Sequence, residues 1–411
     1  MEIRIPEFSL VVLIGEEHTG KTTFAKQFFN DKEIFCTEYC ETLLSGDDAP
    51  VYKHDSFGLL HSIVTKRLKN GNLTVVDEEN LTQSMREKLI QITKKADCYP
   101  VAIYFKGKGN LHHEQNLERL KGLSDDAIVR QLKKERFKYV YIIGDDHQFD
   151  EVRIIKDLSP SNLKTEQGPF DIIGDVHGCY DELEHLLTKL GYTIKRDIKS
   201  KYGFDVIAPK NRKVIFVGDL TDRGPNVVDC FKLAMTMIDE KQAFCVMGNH
   251  EAKLLKKLNG RNVKLKHGLE ITMEQLEHET EEFKEQLRNF VDQLAIHLEF
   301  DNGNLVVAHA GLPERYHGKK SGKIRSFALY GDVAGFDEEG RPIRKDWSLD
   351  YEGNATVVYG HVPRKEYYIS NKTYGIDTGC VFGGKLTCLQ YPELVLVQVQ
   401  ANRVYSEHRD F

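Results

Sequence analysis

The sequence predicts an α/β protein of two domains, and three observations carry that reading. Short apolar runs recur along the chain, amphipathic segments of helical spacing lie between them, and a polar stretch from Gly144 to Gly168 has no sustained periodicity. At 411 residues the chain exceeds one ordinary core and fits about two, at roughly one domain per ~150 residues. The expected division is a first domain over 1–150, a linker over 151–168 and a second domain over 169–411.

In the first domain the run Leu10 to Ile14 is apolar throughout and stops at Gly15, as a strand buried on both faces of a parallel sheet does. Runs at Leu73 to Val76, Val101 to Phe105 and Tyr139 to Ile143 continue the pattern. Directly after the first run, Gly15-Glu16-Glu17-His18-Thr19-Gly20-Lys21-Thr22 fits G-x-x-x-x-G-K-[ST], and a helical stretch from Thr23 to Phe29 follows. Strand, glycine loop and helix in that order make a phosphate cradle. Gly15, Gly20 and the amides at Lys21, Thr22 and Thr23 would wrap the phosphates of ATP, Lys21 would reach the outer ones, and Thr22 would coordinate Mg²⁺.

In the second domain, strands are expected at Phe170 to Ile173, Val214 to Val217, Phe244 to Met247, Leu305 to Ala308 and Thr356 to Tyr359, each running into a polar cluster. The charged segment from Glu270 to His297 has helical spacing and should flank that edge. Asp175 and His177 sit two residues apart after the first strand, so in an extended loop they point the same way. Asp219 follows the next strand and can bridge two ions, and Arg223 offers a planar fork for phosphate oxygens. Asn249, His250, His309 and His361 complete the set. Any one cluster alone is as often an ordinary turn. Five strand-end clusters of these residue types together point to metal-assisted phosphoester hydrolysis, in which two divalent ions lower the pKa of a bound water. Mixed Asp, Asn and His ligation suits Mn²⁺, with Ni²⁺, Fe or Zn as alternatives. His250, oriented by Asp222, is the expected proton donor to the leaving oxygen.

Composition excludes several classes. With 57 Lys plus Arg against 63 Asp plus Glu, the formal net charge of -6 provides no global field for nucleic acid or an anionic membrane. The eight cysteines show no C-x-x-C spacing and read as reduced thiols. The N-terminal residues lack the order of a signal peptide, and no stretch approaches ~18 apolar residues, so a cytoplasmic protein without a membrane partner is expected.

These segments resemble the calcineurin-like binuclear metallophosphoesterases, and most closely the phosphatase domain of the bacterial polynucleotide kinase-phosphatase family. The closer likeness rests on Val307-Ala308-His309-Ala310-Gly311-Leu312-Pro313, on Arg325 to Gly331, and on the tail from Val358 to His361 and from Asp377 to Leu386. The resemblance implies that Asp175, His177 and Asp219 hold one metal, that Asp219, Asn249, His309 and His361 hold the other, and that Arg223, Asn249 and His250 meet the phosphate. It further implies a P-loop NTPase-type parallel sheet with flanking helices, followed by a calcineurin-like α/β sandwich.

The first domain resembles the 5′-hydroxyl kinase domain of the same family, including Arg67-Leu68, Leu73 to Asp77 and Phe137 to Tyr141. Departures fall where transfer would occur. Glu38 takes the place of the family's Asp as catalytic base, Glu41 replaces an Arg, and the lid region around Gln115 to Arg130 keeps only Arg119 and Arg130 as candidate arginines. The expected activity is therefore removal of 3′-phosphate or 2′,3′-cyclic phosphate from RNA or DNA ends in RNA repair, with ATP-dependent 5′-hydroxyl phosphorylation open. No K-x-D-G ligase signature is present, so sealing would need a separate ligase. The competing reading is a protein Ser/Thr phosphatase or dinucleoside tetraphosphatase carrying a non-catalytic NTP-binding domain.

Overall fold

The computed structural model describes residues 1–45, 53–106, 120, 123–144, 149–157, 159–339 and 342–408. Arg119 lies outside the described residues. The chain forms two compact units, Met1–Ser159 with Gly318–Ser321, and Pro160–His317 with Gly322–Phe411.

The first unit is built on a five-stranded parallel sheet in the order Ile34–Phe35, Thr74–Asp77, Ser9–Ile14, Tyr99–Phe105, Tyr139–Ile143. All six residues of Ser9–Ile14 are buried because side chains on one face join one apolar cluster and those on the other face join a second. Its neighbours Thr74–Asp77 and Tyr99–Phe105 flank it, so their C-terminal ends open beside the glycine loop. The helix after that loop, Lys21–Phe28, turns Phe24 onto Phe105 and Phe149, with ring centroids 5.3 and 5.4 Å away. The stretch read as a linker carries structure. Arg153–Asp157 pairs in parallel with the chain's own first strand, Glu2–Pro6. Its partner is distant in sequence and its Arg-Ile-Ile-Lys-Asp text has little alternation, which hides it from pattern reading.

In the second unit, two five-stranded sheets enclose a shared apolar layer including Phe170, Ile172, Ile215, Val217, Phe300, Leu305, Val307 and Val358. One sheet runs Ala243–Cys245, Lys213–Phe216, Phe170–Ile173, Lys385–Tyr391, Val395–Gln400; the other runs His297–Phe300, Leu305–Ala308, Thr356–Tyr359, Thr373–Gly375, Tyr368–Ser370. Helices such as Tyr180–Lys189 and Val227–Asp239 cover the outer face of the first. The segment expected to be helical up to His297 is two helices, Leu269–Glu277 and Glu281–Gln293. Thr280 caps the second by accepting from Phe283 N at 3.2 Å, which fixes the break, and His297 opens a strand.

Candidate active site

The second unit collects the predicted residues at the ends of its central strands. Asp175, His177, Asp219, Asp222, His250 and His309 are buried, while Arg223, Asn249 and His361 are partly so. Close passage is enforced by glycines. A Cβ on Gly248 would collide with Asp219 Oδ1 and Glu251 Oε2, and one on Gly360 with Asp175 Oδ1.

Two donor groups share Asp219. His177, Asp219 and His250 offer ligand atoms within 4.8 Å of one another, as do Asp219, His309 and His361. His177 Nδ1 lies 2.7 Å from Thr221 O and His309 Nδ1 lies 3.0 Å from Val217 O. A carbonyl can only accept, so both Nδ1 atoms donate and both Nε2 atoms carry lone pairs. His309 Nε2 then faces Asn249 Oδ1 at 2.8 Å and Asp219 Oδ2 at 3.4 Å, with His361 Nδ1 at 3.1 Å; Arg344 Nη2 donates to His361 Nε2 at 3.1 Å, so in this arrangement the proton of that ring is on Nδ1. Lone pairs of His309 Nε2, Asn249 Oδ1 and Asp219 Oδ2 converge there, and His361 joins them once its Nδ1 gives up its proton, so the donor set fits a divalent ion. Burial lowers the pKa of His177, His309 and His361, keeping the rings neutral as ligation requires. For Asp219 burial pushes upward; only positive charge at His309, His250, His177 and His361 would hold the carboxylate below its ordinary range, and with the rings neutral that charge is what a bound cation would supply.

Asp175 is placed differently from the other candidate ligands. Its carboxylate accepts from His361 N at 3.1 and 3.2 Å, and burial followed by the neighbouring Asp377 and Asp219 charges raises its pKa. Asp377, likewise pushed up to about 6 chiefly by burial, was quoted in the sequence only as part of the tail and received no role. Two buried carboxylates in this proximity need a proton or a cation, which marks Asp377 as part of the site.

Arg223 and His250 form the opposite wall. Arg223 Nη1 is 2.6 Å from His177 Nε2, its Nη2 is 3.2 Å from His250 Nε2, and the guanidinium lies over Phe382. His250 Nδ1 is 2.6 Å from Asp222 Oδ2, leaving Nε2 directed toward Arg223 and, at 3.9 Å, Asp219 Oδ2. Glu251, to which the sequence reading assigned no role, organises the Asp219 loop. It accepts from the backbone N–H groups of Asp219, Leu220 and Gly248 at 2.7, 2.7 and 3.0 Å, and from Thr221 at 3.3 Å.

In the first unit, Gly20 takes a left-handed conformation as N-cap of Lys21–Phe28, so the helix N-terminus faces the loop with Lys21, Thr22 and Thr23 in its first turn. Lys21 Nζ donates to Gly15 O at 2.9 Å and Glu16 O at 2.6 Å. Thr22 Oγ1 donates to Asp77 Oδ2 at 2.7 Å, which identifies Asp77 as the acidic partner the sequence reading left without a role. Burial lowers the Lys21 pKa despite the surrounding Asp77, Glu79, Glu17 and Glu78. Glu38 is exposed in the first turn of Thr37–Leu44, near enough to Asp77 for its charge to help raise that carboxyl, after burial as the main cause. Glu78 accepts from Thr37 N, and Arg130 is exposed on the helix Asp125–Lys134.

Residues 168–397 match the calcineurin-like phosphoesterase family. The chain belongs to that family. Residues 8–141 are similar to the family of the chromatin associated protein KTI12. A bis(5′-nucleosyl)-tetraphosphatase PrpE [asymmetrical] of Oceanobacillus iheyensis is 42% identical over 240 residues, covering 57% of this chain and 93% of that protein. Its counterpart in Bacillus subtilis is 42% identical over 245 residues, covering 58% and 98%. A solved protein serine/threonine phosphatase from Saccharomyces cerevisiae is 15% identical with a TM-score of 0.41, covering 61% of this chain and 84% of that one. The resemblance to kinase-phosphatases thus holds at the level of a phosphoesterase domain after a KTI12-like domain, whereas the relatives of the phosphoesterase are named tetraphosphatases. No helix among the described residues is long and apolar enough to cross a membrane.

Proposed function

We propose that the second unit hydrolyses dinucleoside tetraphosphates asymmetrically, to a nucleoside monophosphate and a nucleoside triphosphate. The observation that carries hydrolysis is the pair of donor groups sharing Asp219 beside Arg223 and the His250–Asp222 pair. The substrate class rests on the 42% identity to tetraphosphatases across almost their whole length. Asp175, His177 and Asp219 would hold one divalent ion, and Asp219, Asn249, His309 and His361 the other, with Mn²⁺ the first candidate. When bound, the ions supply an activated water and neutralise phosphate charge. Arg223 orients the scissile phosphate through its fork. Water adds to phosphorus and releases its proton to solvent, the bond to the bridging oxygen breaks, and His250 as the imidazolium, its Nδ1–H held by Asp222, gives its Nε2 proton to that oxygen. The first unit binds ATP with Mg²⁺ at Lys21, Thr22 and Asp77.

A second reading, processing of 3′-phosphate or 2′,3′-cyclic phosphate ends, is favoured by the phosphate-binding loop carried on the same chain, with Glu38 beside Asp77. Purified full-length protein with Mn²⁺ is offered diadenosine tetraphosphate, a 3′-phosphorylated and a 2′,3′-cyclic RNA, and a phosphoserine peptide. Mono- and triphosphate products from the first at the highest kcat/KM are expected. Preferential turnover of an RNA end would replace this proposal with the second, and preferential turnover of the peptide would overturn both.

A further inference from the structure

Behind the active-site loops lies a second set of donors that hydrolysis does not use. Cys179, Glu182 and Cys380 bring one ligand atom each within 4.8 Å of one another, and all three are nearly inaccessible, at 0%, 1% and 1% exposure. Cys179 is the N-cap of the helix Tyr180–Lys189 and Glu182 follows one turn later, so both project from one helix end. Cys380 approaches from the turn after Asp377.

Glu182 is the informative member. In the spacing Cys179-x-x-Glu182 a carboxylate could fold back to cap its own helix, but this one does not. Instead its Oε1 accepts from Asn402 N and from Tyr405 OH, each at 2.8 Å, which fixes its orientation, while Oε2 has no hydrogen-bond partner. A carboxylate oxygen buried without a partner is costly. A carboxylate oriented by outer hydrogen bonds toward two sulfurs is the arrangement of a metal ligand.

We infer that Cys179, Glu182 and Cys380 form a structural metal site, separate from the phosphoesterase centre, that takes a borderline-soft divalent cation such as Zn²⁺. Two sulfurs and one carboxylate oxygen suit Zn²⁺ over Mg²⁺ or Ca²⁺, which prefer oxygen alone. Binding releases the two thiol protons to solvent as two metal–sulfur bonds form. The N-terminus of a ten-residue helix favours the resulting negative charge on Cys179. A disulfide between the cysteines explains the pair less well. It would leave Glu182 Oε2 unaccounted for and would need an oxidant to reach atoms sealed in the core. Because Cys179 follows His177 by two residues and Cys380 follows Asp377 by three, the ion would tie together the loops carrying both.

Cobalt separates this site from the catalytic one, because the phosphoesterase centre contains no cysteine and only thiolate ligation gives intense near-ultraviolet charge transfer to Co²⁺. Full-length protein is produced in Co²⁺-supplemented medium, so that metal is present as the core closes. The expected result is a thiolate-to-Co²⁺ band of one equivalent that is lost in Cys179→Ala and in Cys380→Ala but kept in Asp219→Asn. Protein produced with Zn²⁺ should lose one equivalent of zinc in Glu182→Gln, a variant that preserves shape. Absence of the band in the wild type, or its survival in Cys179→Ala protein of native circular dichroism, overturns the assignment.

Discussion

Replacing Asp222 by Asn tests the proton-donor role of His250 most directly. Asp222 is fully buried, and its Oδ2 lies 2.6 Å from His250 Nδ1 while Oδ1 accepts from Thr272 Oγ1 at 2.6 Å. An amide fits the same space, and the threonine hydroxyls can reverse direction to accept from it, so the fold should survive. What disappears is the negative charge that stabilises the imidazolium and fixes its tautomer. A positioned proton donor contributes ~10² to 10⁴-fold, or about 3 to 5 kcal/mol of barrier. That contribution matters in proportion to how badly the leaving oxygen needs a proton. Asp222→Asn and His250→Asn should therefore both lower kcat by about 10² or more on an alkyl phosphate. On p-nitrophenyl phosphate, whose leaving group departs unprotonated, the loss should be at least tenfold smaller by the same relation. Steady-state kinetics on the two substrates at saturating Mn²⁺ provide the comparison. Equal losses on both would refute the role and assign His250 instead to the donor group it shares with His177 and Asp219.

Three further outcomes follow from geometry elsewhere in the chain. Lys21→Ala should weaken ATP binding by about 10- to 100-fold, the worth of one charge-assisted hydrogen bond to phosphate, and unchanged affinity by calorimetry would remove Lys21 from the nucleotide site. Glu251→Ala strands backbone N–H groups of the Asp219 loop and should cost about 3 kcal/mol or more in urea unfolding; coincident transitions would contradict its organising role. Glu299 links stability to acid. Burial would raise its pKa, but His297 at 3.6 Å and Lys164 at 3.0 Å hold it near 2 against an ordinary 4.5. A depressed carboxyl stabilises the fold above its unfolded pKa and loses that contribution as pH falls toward the folded one. The loss, about 3 kcal/mol between roughly pH 4.5 and pH 2, should be absent in Glu299→Gln, and parallel acid-unfolding curves would rule it out.

What the sequence made legible was whatever is written at a strand end. His177, Asp219, Asn249 and His309 each come within a few residues after an apolar run, so reading the runs also picked out the candidate donors that the fold gathers. Asp77 stood at such an end as well, yet its partnership with Thr22 depends on Thr74–Asp77 lying directly beside Ser9–Ile14. Adjacency of that kind is a property of the sheet rather than of either segment. Glu251 was hidden for a related reason. It sits beside His250, the proposed proton donor, where a catalytic role invites attention, but it gathers N–H groups from a loop some 30 residues upstream. Arg153–Asp157 escaped because its text has little alternation and its partner is at the other end of the unit.

The backbone of the site explains why Glu251 has so much to hold. His177, Asp219, Asp222, Arg223 and His361 all adopt positive φ, at 46, 51, 72, 72 and 71°. For residues with a Cβ such conformations cost about 1 to 3 kcal/mol each, and propensity would assign them to glycine or asparagine. Three of the five lie in one stretch, Asp219 to Arg223, where the Glu251 carboxylate receives successive N–H groups from Asp219, Leu220 and Thr221. Those bonds form only if the loop takes this path, so they offset the strain of placing Asp219 between two donor groups and Arg223 opposite His250. The same path brings Thr221 O to His177 Nδ1 and fixes which nitrogen of that ring carries the lone pair. Ligand orientation, tautomer and phosphate clamp are thus coupled through one buried carboxylate, and a change there should disturb metal affinity and catalysis together rather than either alone.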